Sequence, residues 1–74
     1  MFEAKLKFEC KTPKLIKKSL EPDMENSEQI KTEITEGKDF IEINIKSRKL
    51  SHLKAVINSY ISLVSMLLEA EKID

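Results

Sequence analysis

The 74-residue sequence has one cysteine, one glycine, two prolines, one tyrosine and no tryptophan. With Cys10 as the only cysteine, no internal disulfide can form. A structural zinc site would need four ligands, and one cysteine and one histidine (His52) do not supply them. A single glycine, Gly37, cannot build a glycine-rich phosphate cradle, nor the GXXG loop of a KH-type RNA module. Net charge is also missing. Charged residues make up 35% of the chain yet sum to zero, which argues against a general polyanion binder. No nucleophile–base pair can be named, so enzyme chemistry has no starting point and neither a cofactor nor a small-molecule substrate is expected. No apolar h-region follows Met1. The longest weakly charged run, residues 53–68, falls short of the roughly 20 residues that span a bilayer, so no membrane partner is expected. A free thiol and no export signal point to the cytoplasm. A single domain over residues 1–74 is expected, small enough to be marginal alone, and oligomerisation is the natural remedy.

What is present is strongly patterned. In FEAKLKFEC (2–10), Phe2, Ala4, Leu6, Phe8 and Cys10 alternate with Glu3, Lys5, Lys7 and Glu9, the period-two signature of a strand with one buried face. Thr12-Pro13 opens a helix: threonine suits the N-cap and proline the first helical position. Leu15, Ile16 and Leu20 form its apolar stripe, with Lys14, Lys17 and Lys18 around them. Pro22 disfavours helical geometry at the residue before it, so the helix ends near Leu20 and PDMENSEQ is a loop. In that loop Asp23, Glu25 and Glu28 lack the spacing of a metal loop. Residues 30–35 and 40–46 form a hairpin, with Ile30, Thr32 and Ile34 facing the same way as Ile41, Ile43 and Ile45. Gly37 can supply a positive φ in the EGKD turn, and Phe40 falls on the polar face. A last helix starts between Ser47 and Ser51 and runs to about Ile73.

The element order is therefore β-α-β-β-α. A right-handed crossover makes the first two strands parallel, and the hairpin makes the third antiparallel to the second. The third strand then lies between them. The fold class is α+β: a three-stranded antiparallel sheet with both helices on one face.

The last helix carries more than a core stripe. At about 100° per residue, Leu53, Val56, Ile57, Tyr60, Ile61, Leu63, Val64, Leu67 and Leu68 cover roughly half of its circumference, wider than packing on one sheet requires. We expect Leu53, Val56, Ile57, Tyr60, Ile61, Val64, Leu67 and Leu68 to serve the core and self-association. A second line, Ala55, Ser59, Ser62, Met66 and Ile73, follows near-heptad spacing, is built mostly of small side chains and is flanked by uncharged Asn58 and Ser65. Small residues let another helix approach closely. The competing reading is a serine-rich solvated face. Lys46, Arg48, Lys49 and Lys54 gather before and at the start of this helix and are the candidate phosphate contacts. Cys10, on the inward face of the first strand, reads as a buried, inert thiol, and His52 as an ordinary helix-start residue.

SLEPD (19–23), the EGKD hairpin and LKAVINSYISLVSMLLE (53–69) together resemble the small Pcc-type subunit of the KEOPS complex, also called EKC. The most specific part is Leu53-Lys54-Ala55-x-x-Asn58-Ser59-Tyr60, where members of that family commonly show L-R-A-x-x-N-S-Y/F. The resemblance covers nearly the whole chain and implies a non-catalytic subunit. It implies a homodimer, as in archaea, that packs its helices against a Kae/Qri-type threonylcarbamoyl transferase. It also implies a complex that makes threonylcarbamoyladenosine at position 37 of tRNA, with the subunit helping to hold tRNA. On that basis Leu15, Ile16, Ala55, Asn58, Ser59, Ser62 and Met66 are the expected seat for the transferase helices. The sequence departs from the family pattern at Lys54, where arginine is common, and at Ser62, where a basic residue is frequent. Lysine keeps the charge but not the bidentate geometry. The alternative function is a free-standing nucleic-acid-binding module acting in transcription.

Overall fold

The computed structural model describes residues 1–24 and 26–72. Its elements are β1 (Phe2–Glu9), α1 (Pro13–Leu20), β2 (Ile30–Glu36), β3 (Phe40–Ser47) and α2 (Leu50–Lys72), with a 3-10 turn over Glu21–Asp23 after α1. This is the expected β-α-β-β-α order. The sheet runs β1-β3-β2, with β3 antiparallel to both neighbours, so the hairpin strand sits between the two parallel strands.

Register follows from the apolar pattern. Leu6, Ile43 and Ile34 lie side by side across the three strands, and Ala4, Ile45 and Thr32 form the next row. A one-residue slip would turn all of these side chains to the opposite face. Ile41, Ile43 and Ile45 of the central strand are fully buried, as are Ile16 and Leu20 of α1 and Val64 of α2. Helix α1 packs on β2 and β3, while α2 packs on β3 and β1. Both helices therefore share one face, and the other face carries Glu3, Lys5, Lys7, Glu42, Lys46, Lys31 and Glu33.

Three local expectations need correction or refinement. Gly37 has no positive φ. Its role is steric: a Cβ there would overlap the Phe40 ring, which folds back over the turn while the Gly37 N–H donates to the Phe40 carbonyl at 2.8 Å. Phe40 does lie on the polar face, but it is half-buried, with the Lys7 ammonium 4.4 Å from the ring centroid. Thr12 stands at the α1 N-cap position but makes no side-chain cap bond to α1. Its hydroxyl donates instead to a carboxylate on the far end of α2.

Helix α2 begins at Leu50, and the Leu53 N–H donates to the Lys49 carbonyl at 3.0 Å. Ser47, fully buried at the end of β3, closes the preceding turn by accepting from the Lys49 N–H and donating to the Lys49 carbonyl. The described helix has 23 residues, longer than the apolar run within it, and is long and apolar enough to cross a membrane. Its inner side nonetheless belongs to the shared core. Leu53, Val56, Tyr60 and Val64 are buried with the isoleucines of β3, and removing the helix from the sheet would expose them all.

Candidate partner-binding site

Around α2, the buried line Leu53, Val56, Tyr60 and Val64 divides the exposed surface into two flanks of different chemistry. The flank away from α1 presents Leu50, Ile57, Ile61 and Leu68, with Lys54 and Ser65 at its outer margin. Leu50 and Ile61 are exposed; Ile57 and Leu68 are half-buried. Beneath this flank lies β1, an edge strand whose inward residues Ala4, Leu6 and Phe8 are only half-buried and whose Phe2 is exposed. An apolar band thus runs beside an unpaired strand edge.

The flank toward α1 is different. A groove of about 720 Å³ is lined by His52, Ala55, Asn58, Ser59, Ser62 and Leu63, with Asp23 of the 3-10 turn on its other side. Tyr60 lies at its base and its hydroxyl donates to the Asp23 carbonyl at 3.5 Å, a long bond. One to two turns further along, a second depression of about 240 Å³ lies between the helices, lined by Leu15, Ile16 and Ser19 of α1 and Leu67, Ala70 and Glu71 of α2. Leu63 and Leu67 are one turn apart, so the two depressions follow the same side of α2.

The expected seat divides over this surface. Ala55, Asn58, Ser59 and Ser62 are exposed and line the larger groove together. Met66 is 67% exposed and Leu15 62% exposed, both unusually open for apolar side chains. Ile16, by contrast, is 2% exposed and reaches the surface only in the smaller depression. Ile73, the last member of the proposed seam, lies outside the described residues, as does Glu25. Of the residues assigned to core and self-association, Leu53, Val56, Tyr60 and Val64 are buried, Ile57, Leu67 and Leu68 half-buried, and Ile61 exposed. Lys46, Arg48, Lys49 and Lys54 are all exposed, and Lys46 pairs with Glu3 at 3.5 Å.

Sequence reasoning missed Glu71. Its carboxylate accepts from the Lys11 N–H (3.1 Å), the Thr12 N–H (2.9 Å) and the Thr12 hydroxyl (2.5 Å), tying the end of α2 to the start of α1. The Thr12 hydroxyl bond, then the backbone donors, hold the Glu71 carboxyl below the usual carboxylate range. Nothing local marks this pair, which is 59 residues apart in sequence. Ala70 was also missed, although the line of small residues predicts it: it lies four residues after Met66. Cys10 is buried beside this junction, and its thiol is pushed up, first by burial and then by Glu71 and Asp39. A buried thiol with a raised pKa is a poor nucleophile. Among the described residues no group of three or more His, Cys, Asp or Glu side chains is placed to hold a metal ion.

A model of the family described as "Transcription factor Pcc1" matches residues 1–70. No curated protein and no solved structure matches the chain. The match spans both strand edges, both helices and both flanks of α2: the chain belongs to the Pcc1 family, the small-subunit family of the KEOPS tRNA-modification complex.

Proposed function

We propose that this chain, as a single Pcc-type domain over residues 1–74, is the non-catalytic dimerisation and scaffold subunit of KEOPS, acting in the cytoplasm. It docks the threonylcarbamoyl transferase and assists tRNA binding within the assembled complex. The observation that carries this reading is the division of α2 into two flanks. One, with Ile57, Ile61 and Leu68 over the β1 edge, is apolar enough to be covered by a second copy of the chain. The other has Ala55, Ser59 and Ser62 lining a groove and Met66 exposed on the same side, a surface of mostly small side chains that suits a docked helix. Lys46 ends the outer face of β3, Arg48 and Lys49 lie in the turn into α2, and Lys54 stands on the apolar flank between Leu50 and Ile57. Lys46, Arg48 and Lys49 can therefore add phosphate contacts away from the α1-side groove.

The test is co-purification with the transferase subunit. Ser59→Arg and Ser62→Arg place a long charged side chain in the groove at exposed positions, so the fold should survive. The expected result is loss of the transferase with an unchanged circular-dichroism spectrum and melting temperature. Retention of the transferase by both variants would overturn the docking assignment.

A further inference from the structure

The surface at the α1 end of the groove is not neutral. Leu15, 62% exposed, lies between the depression it shares with Leu67 and Ala70 and a second, outer one lined by Lys11, Pro13, Lys14 and Lys18. On a helix the nearest surface neighbours of a residue are three and four positions away, together with the adjacent ones. For Leu15 these include Lys11, Lys14 and Lys18, with Ser19 closing the remaining side. Helix α1 contains no acidic residue. Among the described residues, neither Lys14 nor Lys18 has a carboxylate within ion-pairing distance. The nearby carboxylate of Glu71 sits at the end of the inner depression, engaged with the Lys11 and Thr12 backbone and the Thr12 hydroxyl. The α2 wall opposite offers Ser59, Ser62, Met66 and Ala70, with exposed Glu69 one turn after Met66 and Glu71 at the end of the inner depression. The α1 side is therefore cationic around Leu15, while the carboxylates of the α2 side, Glu69 and Glu71, gather in its last turns.

We propose that the segment seated here is an amphipathic helix of a partner protein with an acidic stripe beside its apolar stripe: its apolar side covers Leu15 and the α2 wall, and its carboxylates meet Lys11, Lys14 and Lys18. This rests on the reading of the α1–α2 face as a helix-docking groove and adds the chemistry of the occupant. A protein helix fits better than a nucleic-acid strand because the lysines surround an exposed leucine and an apolar depression. A phosphate backbone would leave those apolar side chains in water. Complementary charge also fixes which side of the incoming helix faces α1, and so its rotation in the groove.

The probes are three synthetic helical peptides with one common apolar stripe and with Glu, Gln or Lys at the flanking positions, plus a short single-stranded RNA. Each is titrated against the intact protein and followed by amide chemical shifts. The Glu peptide is expected to shift the Leu15, Leu67 and Ala70 amides and to bind roughly tenfold more tightly than the Gln peptide at low salt, the sum of a few exposed charge pairs. That advantage should shrink at high salt and vanish in Lys14→Glu/Lys18→Glu, while the Gln peptide binds both proteins alike. Equal binding of the Glu and Gln peptides overturns the charge assignment and leaves the groove reading standing. Binding by none of the peptides overturns both. Preferential shifting of the α1 amides by RNA replaces the acidic helix with a nucleic acid.

Discussion

The two flanks of α2 differ by only a few residues, yet they have opposite surface chemistry. On the β1 side Leu50, Ile57, Ile61 and Leu68 form a band of branched aliphatics margined by Lys54 and Ser65, and the strand beneath leaves Leu6 and Phe8 half-covered. On the α1 side the same helix offers the small side chains of Ala55, Ser59, Ser62 and Ala70, with exposed Met66 among them and half-buried Leu63 and Leu67 beneath. Large aliphatic side chains next to an open strand edge bury area well against a matching copy of themselves. Small side chains gain little area but let a foreign backbone come close, with serine hydroxyls free to bond locally. The lesson is that polar interruptions in an apolar helix need not weaken it. On the proposed function, they separate a self-association surface from the surface for a different partner.

The comparison can be broken outright by removing the layer under both flanks. Ile43, fully buried in the central strand between Leu6 and Ile34, supports both helices. Ile43→Ala should cost about 2–5 kcal/mol, read as a lower urea midpoint, and should abolish both kinds of association because the fold itself is lost. A smaller effect separates the α1 side from the β1 side. Glu71 holds α1 to α2 through groups that bind its ionised form, so its folded pKa lies below its unfolded value. The stabilisation is fully present above the unfolded value and is lost as pH falls through the folded one. The stability advantage of wild type over Glu71→Gln should therefore be constant near neutrality and shrink progressively as pH falls below the ordinary glutamate value of about 4.3. Amide exchange should locate the change in the first turn of α1, not on the β1 side. Smallest of all is Tyr60→Phe. The hydroxyl reaches the Asp23 carbonyl only at 3.5 Å while the ring is buried, so the change should cost less than about 1 kcal/mol by denaturant titration.

Much of this architecture was legible in the chain. Strict alternation in FEAKLKFEC and in the two isoleucine-rich segments marked the strands, because a strand with one covered face admits little else. Proline at positions 13 and 22 bracketed α1. The width of the apolar arc on α2 signalled surplus contact surface before any packing was known. What the sequence left hidden depends on distance along the chain or on direction. The Thr12–Glu71 junction joins residues with no shared local pattern. The assignment of Ile61 to the surface and Val64 to the core needs the position of the sheet, because both residues belong to the same apolar arc. Ile16 and Leu15 are adjacent, yet one is sealed in the core and the other stands open. Gly37 looked like a turn glycine of unusual φ, but the ring three residues later is what requires it.

The central claim is that the flanks serve different partners, and a crossed experiment tests it most directly. Sedimentation velocity would be run on Ile61→Lys and Ser59→Arg, each alone and with the transferase subunit. Ile61→Lys should convert the dimer to monomer, weakening self-association by roughly thirtyfold or more, and still bind the transferase. Ser59→Arg should remain a dimer and fail to bind it. If either substitution removes both associations with the fold intact, or if the wild-type chain sediments as a monomer at micromolar concentration, the two-flank account is contradicted.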